Sequence, residues 1–400
     1  MSMFRSSLTR LALAVAPLLL AGCAATTVPL APAGADMFDD AGFGAAKEPL
    51  DPADVFRFTP EMQEYLQKTI MPMARARGLA HALTDALYTR SKLMLEYDSS
   101  TTRTASQAFQ ARQGNCLSLV IMTGAFAKAM GMSITYQQVA TEEVWSRSAG
   151  MYFMSGHVNL TLERREADII GHFDRRGLYT IDFIPGANAE WNVRPLRQET
   201  VLAMFLNNRA AEAMVRGKLD DAYWRLRQAI RFDPGFLSAY NTLGVVYLRH
   251  GDPARAEQVL RRALAAAPDD APVLANYAQA LQDLGRMDEA RQVQAHLAAV
   301  EPVAPFLWFV QGQAALRRGD YLKARELFVK EIERAPDYHE FHYALAVADF
   351  GLGRLEEAHR ELALAMNDAV RRSDHDLYAA KLDRLKAWQA SRAATASTMQ

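Results

Sequence analysis

The chain has 400 residues, half of them apolar, enough for two cores of ordinary size. Its 45 basic and 46 acidic side chains leave a formal net charge of −1. The sequence-independent attraction behind most nucleic-acid binding is therefore missing, and no nucleic-acid partner is expected.

In chain order, Arg5 and Arg10 precede an apolar run, Leu11 to Leu20, that is too short for a stable membrane span. Residues 1–22 thus read as a sorting signal. The run ends in Leu20-Ala21-Gly22-Cys23, which resembles the lipobox of bacterial lipoproteins. That resemblance implies that Cys23 is lipidated and becomes the first mature residue, with acyl chains tethering the protein to a membrane. Because Ala24 rather than Asp follows, it also implies the outer membrane, facing the periplasm. Cys116 would then be the only thiol left, and no disulfide could form within the chain. Residues 23–50 are rich in Ala, Thr, Pro and Gly, lack apolar periodicity and are expected to be a flexible tether.

Residues 51–200 are expected to form one α+β domain. Apolar spacing of three and four, as in Leu83 and Leu87, predicts helices over Glu61–Ala76 and Leu79–Leu95. Cys116–Met130 is strongly apolar, starts behind Gly114-Asn115 and stops at Gly131, as a core helix with a left-handed cap does. Ile134–Ala140, His157–Leu162, Ile169–Phe173 and Leu178–Ile184 carry the β-branched and aromatic residues of short strands. The arrangement is one helix followed by an antiparallel sheet.

From Ala203 a period of 34 residues takes over, marked by Pro234, Pro268, Pro302 and Pro336 and by Ala222, Ala256, Ala290, Ala324 and Ala358. Gly244 and Gly312 sit where two helices must approach closely, and Gly251, Gly285, Gly319 and Gly353 stand where a turn needs positive φ. These offsets resemble the tetratricopeptide repeat and predict an all-α solenoid of five units over 203–372. Arg209 departs from the pattern, standing where an apolar residue is usual. Residues 373–392, with the stripe Leu377, Leu382, Leu385 and Trp388, should form a capping helix, and 393–400 a disordered tail. The repeat groove is expected to take a protein or peptide partner. His339 and His342 are expected to be solvated surface residues.

Acyl transfer by a thiol needs a nucleophile, an imidazole to exchange its proton and a group that orients the imidazole. Cys116 lies at a helix N-terminus, where unpaired N–H groups favour an anion. His157 begins a strand behind Ser155-Gly156, and Asp182 lies in the run Tyr179–Phe183, where alternation puts a carboxylate in apolar surroundings and so demands a partner. The segments Arg112-Gln113-Gly114-Asn115-Cys116, Ala129-Met130-Gly131-Met132, Gly156-His157-Val158 and Tyr179-Thr180-Ile181-Asp182 resemble the transglutaminase-like branch of the papain-type cysteine enzymes over about a hundred residues. The resemblance implies a transglutaminase-like fold with Cys116 as nucleophile, His157 as general acid and base, Asp182 as orienter and Gln110 as an oxyanion donor. Val158-Asn159 departs from it, since many relatives carry a small residue and then an aromatic there. Without a His-Glu-x-x-His, a Cys-x-x-Cys or a Gly-rich phosphate loop, no metal or cofactor is expected. Two readings follow: a lipid-anchored enzyme acting on amide or ester bonds of a peptide-like substrate, or an inactive scaffold that binds partners through its repeats.

Overall fold

A computed structural model describes residues 37–397, except 89–92, 94, 99–100, 149–150, 164–177, 184–192, 304–305, 337 and 370–371. The expected signal at 1–22, Cys23 and the expected strand at 169–173 lie outside the described residues.

Helix α1 (Pro60–Tyr65) is capped by the Thr59 hydroxyl and runs through a π turn, Leu66–Ile70, into α2 (Met71–Arg77). The π turn lies just before Pro72, where the missing N–H and the ring disturb the helical ladder. Gly78, with φ 82°, separates α2 from α3 (Leu79–Tyr88), which ends short of the expected Leu95. A two-residue strand β1 (Glu96–Tyr97) pairs in parallel with β2 (Gln113–Gly114), with α4 (Ala105–Ala111) between them. Neither short strand has enough residues to show a period in the sequence.

The core helix α5 (Cys116–Ala129) buries every residue from Leu117 to Ala127, and Gly131 ends it with φ 67°. A Cβ at Gly124 would overlap the Tyr136 hydroxyl, so a larger residue there would have to displace that ring. One strand layer covers this helix. Strands β3 (Ile134–Ser148) and β4 (Met151–Glu163) form a hairpin longer than the expected strands; β5 (Leu178–Ile181) flanks β4, and β6 (Val193–Leu196) flanks β3. All three pairings are antiparallel, in the order β5-β4-β3-β6.

The repeats follow as helix pairs: α6 (Gln198–Val215) and α7 (Leu219–Phe232), α8 (Leu237–His250) and α9 (Pro253–Ala266), α10 (Ala271–Asp283) and α11 (Met287–Val300), α12 (Leu307–Arg317) and α13 (Tyr321–Arg334), α14 (His339–Gly351) and α15 (Leu355–Asn367). A Cβ on Gly244 would stand 2.6 Å from Leu260, and one on Gly312 2.5 Å from Phe328, so both glycines mark the close approach within a pair. Each pair turns through a glycine with φ between 71° and 86°, including Gly217, which keeps the same 34-residue register in the first unit. The closing helix α16 (Arg372–Ser397) is longer than expected, and its Ala-rich end is helical through Ser397 rather than a disordered tail. Leu382 and Leu385 pack on Ala346, Ala358 and Leu362. Leu377 points out, 48% exposed, while Tyr378 is buried and hydrogen-bonds His339 Nδ1 at 2.8 Å.

Two expectations are corrected. The N-terminal region and the first repeats do not have separate cores: one apolar cluster runs from Met37 through α5 and the sheet to Val273 and Ala280, and a second gathers around Phe306, Phe328 and Phe341. Residues 37–48 are also not a free tether, since Met37 and Phe43 are buried against α7 and α8. Burial of these two side chains works with the hydrogen bonds and ion pairs to α7, α8 and α9 against the entropy of ordering the segment.

Candidate functional site

The cluster begins at the start of α5. Asn115 caps it: its Oδ1 accepts from the Ser118 N–H at 2.9 Å and the Ser118 hydroxyl at 2.7 Å, while its Nδ2 donates to the Thr102 hydroxyl at 2.9 Å. The Arg103 N–H donates to Ser118 Oγ at 2.8 Å, fixing the preceding loop on the same side chain. Gly114 is needed because a Cβ there would lie 2.7 Å from Ser118 Cβ. Arg112, held left-handed at φ 55°, turns the chain from α4 into this segment. Cys116 opens the helix and is half-buried.

His157 comes from β4, where it pairs with Val139 immediately before the β3–β4 register slips between Val139 and Val144. Such irregularities re-aim side chains beside functional sites. Asp182 follows the last residue of β5, and its Oδ1 lies 2.6 Å from His157 Nε2. Its second oxygen accepts from Asn159 Nδ2 at 3.0 Å. With Nε2 committed to Asp182, Nδ1 is the ring nitrogen left for Cys116, which is close enough to the imidazole to act on its charge. Burial pulls the His157 pKa down, but the Asp182 hydrogen bond and then Cys116 outweigh it and push it up to about 9. The ring therefore carries a proton at neutral pH and faces the Cys116 sulfur. Cys116, His157 and Asp182 are brought together.

Gln110 makes no hydrogen bond to that group among the contacts of the described residues. It is exposed on α4 and lines an open groove of about 520 Å³ with Arg103, Gln107 and Arg209, to which Cys116 does not contribute. Residues beyond the expected set matter to the arrangement. Asn159, the residue at which the chain departs from the resembling family, steadies Asp182, and Asn115 and Thr102 fix the start of α5. Arg209 and Glu212, on α6, clamp Thr102 from the array side: Glu212 accepts from the Thr102 N–H at 2.7 Å and Arg209 donates to its carbonyl at 3.3 Å. That contact explains why a cation stands at an apolar position of the first repeat. The only sequence signal for it was the departure itself.

In the array, His342 is buried rather than solvated. Its Nδ1 lies 2.7 Å from Glu361 Oε2 and its Nε2 2.6 Å from the Pro336 carbonyl. His339 likewise bonds Tyr378 rather than solvent alone.

A family model described as tetratricopeptide repeat matches residues 213–270 and 247–305, and a second with the same description matches 309–373. Protein FlbA of Caulobacter vibrioides is 29% identical over 157 residues, 38% of this chain and 26% of that protein. Type IV pilus assembly protein PilF of Pseudomonas aeruginosa is 30% identical over 119 residues, 29% of this chain and 47% of that protein. The chain thus spans half or less of the length of these curated relatives. Among solved structures, one described as the functional characterization of Pseudomonas aeruginosa pilF covers 49% of this chain and 100% of its own at 20% identity and a TM-score of 0.27. A crystal structure of MamA protein covers 43% of this chain and 92% of its own at 19% identity and a TM-score of 0.25. The family matches and the helix pairs agree in extent and register: the C-terminal part of this chain is an array of tetratricopeptide repeats.

Proposed function

We propose that this protein is a docking protein whose tetratricopeptide array holds a protein or peptide partner. The observation that carries this reading is the unbroken register of five helix pairs, since stacked pairs of this kind generate an extended binding surface. Exposed large apolar side chains support it on the later repeats, among them Leu322 at 56% and Phe350 at 49% exposure. A relative over the repeats bears the name of a pilus assembly protein, in keeping with a role in holding other proteins. A photoreactive residue at Leu322 or Phe350 should give a discrete protein adduct in cells, lost when Gly312→Leu forces α12 off α13. If neither position gives an adduct, the docking reading fails.

A second reading is favoured by one observation, the His157–Asp182 pair facing Cys116. In it the N-terminal domain is transglutaminase-like and works on an amide or ester. The Cys116–His157 pair then holds one proton, on the imidazole: the sulfur attacks the carbonyl carbon, a C–S bond forms, and His157 gives that proton to the leaving amine or alcohol as the C–N or C–O bond breaks. Water or an amine then releases the acyl group. A lipid on Cys23 would hold this enzyme at the outer membrane, facing the periplasm. Alkylation of Cys116 near neutral pH tests the reading: the rate should exceed that of a free thiol and fall in His157→Ala. A rate equal to a free thiol's and indifferent to His157 sinks it.

A further inference from the structure

The segment before the first helices is held on the array as a bound peptide would be. Its backbone is read at both ends. Tyr247 Oη donates to the Met37 carbonyl at 2.9 Å, Trp224 Nε1 to the Gly44 carbonyl at 2.7 Å and Arg225 to the Glu48 carbonyl at 3.0 Å. In return the Gly44 and Glu48 N–H groups donate to Asp220 at 3.0 Å and Asp221 at 2.9 Å. Between these clamps Phe43 enters an aromatic slot, stacked on Tyr223 with centroids 4.1 Å apart and lying 4.3 Å from the His250 ring.

The acidic side chains of the segment meet cations. Asp40 accepts from Tyr223 Oη at 2.7 Å and Arg227 at 2.6 Å, Asp39 lies 3.3 Å from Arg255, and Glu48 pairs with Lys218. Main-chain hydrogen bonds for affinity, aromatic anchors and charge complementarity for register are devices by which proteins recognise peptides. Here they converge on the furrow between α7 and the adjoining ends of α8 and α9.

We propose that this furrow is a recognition site for acidic peptides that turn between two aromatic side chains, filled in cis by residues 37–48, where Phe43 is the buried anchor and Phe38 lies under the Arg227 guanidinium. The first two repeats are thereby closed to any partner that does not carry the same chemistry, and a partner that does carry it competes with the chain's own segment. Repeats further along the array stay open. The site stands on contacts within the array and is independent of any reaction at Cys116.

The test uses the full chain and a fluorescent synthetic peptide with the sequence of residues 37–48. The native chain should bind it at least about tenfold more weakly than a Phe43→Ala, Asp40→Ala chain, whose own segment is loosened. The loosened chain should bind one peptide, lose that binding by about tenfold in an added Arg227→Glu, and weaken as salt rises. A peptide that keeps only the acids, both aromatics and Gly42 at their spacing should bind like the original, and a scrambled one should not. Equal binding by native and loosened chains, or equal binding of scrambled peptide, would overturn the proposal. So would global unfolding of the loosened chain by circular dichroism, because the segment would then be core rather than ligand.

Discussion

His157 is buried where the β3–β4 register slips, and its hydrogen bond to Asp182 keeps the ring charged to about pH 9 despite that burial. Its folded pKa is raised above the ordinary value of 6.5, so the stability it contributes is fully present below that value. That contribution is lost as pH rises through about 9. An NMR titration of the His157 ring should therefore show a midpoint near 9, and Asp182→Asn should bring it down by more than a unit, because burial then acts with less opposition. A midpoint unchanged by Asp182→Asn would show that the carboxylate does not hold the ring. Asn159→Ala should move the midpoint less and in the same direction, since it loosens Asp182 without removing it. Cys116, His157 and Asp182 were legible because each residue type stood in a local pattern that its chemistry requires. Asn159 was not, because an Asn two places after a strand His acquires its meaning only when β5 brings Asp182 beside it.

At the scale of elements, α5 depends on its cap. Asn115→Ala removes the acceptor of the first-turn N–H and leaves Thr102 without its donor, and should cost about 1–2 kcal/mol in urea unfolding. Cys116 should alkylate at a changed rate in that variant, with a free cysteine peptide as the reference. The fifth helix pair holds a second charged imidazole. Both partners of His342 are acceptors, so the ring must donate from both nitrogens, and although burial pulls its pKa down, Glu361 and the Pro336 carbonyl raise it. The stability it gives is complete below the ordinary histidine value and is lost as pH rises through the raised native value. Amide exchange in α14 and α15 should accelerate over that window in the native chain, beyond the intrinsic base catalysis, and His342→Leu should remove the excess. The repeat elements themselves were readable from the 34-residue period, down to the glycines that turn each pair. The burial of His342 was not, because helical spacing says which residues share a face but not which face its neighbour covers.

For the whole molecule, the repeats and the N-terminal region form one body rather than a scaffold with a passenger. Arg209 and Glu212 on the first repeat hold Thr102, which holds Asn115, which caps the helix bearing Cys116. The segment at 37–48 closes over the opposite contacts of the first two repeats. Neither connection has a sequence period, since both are made by irregular chain that becomes ordered only against the folded array. Farther out, the cluster around Phe306, Phe309 and Phe328 is separate, and this separation lets the later repeats be broken without touching the rest. Gly312→Leu should overpack Phe328 by roughly 1–3 kcal/mol or more and unfold those repeats first, seen as a second, earlier transition on heating. The measurement that bears most directly on docking as the function is complementation of a deletion strain. Chains carrying Cys116→Ala or Gly312→Leu are expressed at matched levels, with the N-terminal domain of each shown to be folded. Docking predicts that Cys116→Ala restores the phenotype and Gly312→Leu does not; restoration by Gly312→Leu, with failure of Cys116→Ala, would contradict it and leave the thiol as the working part.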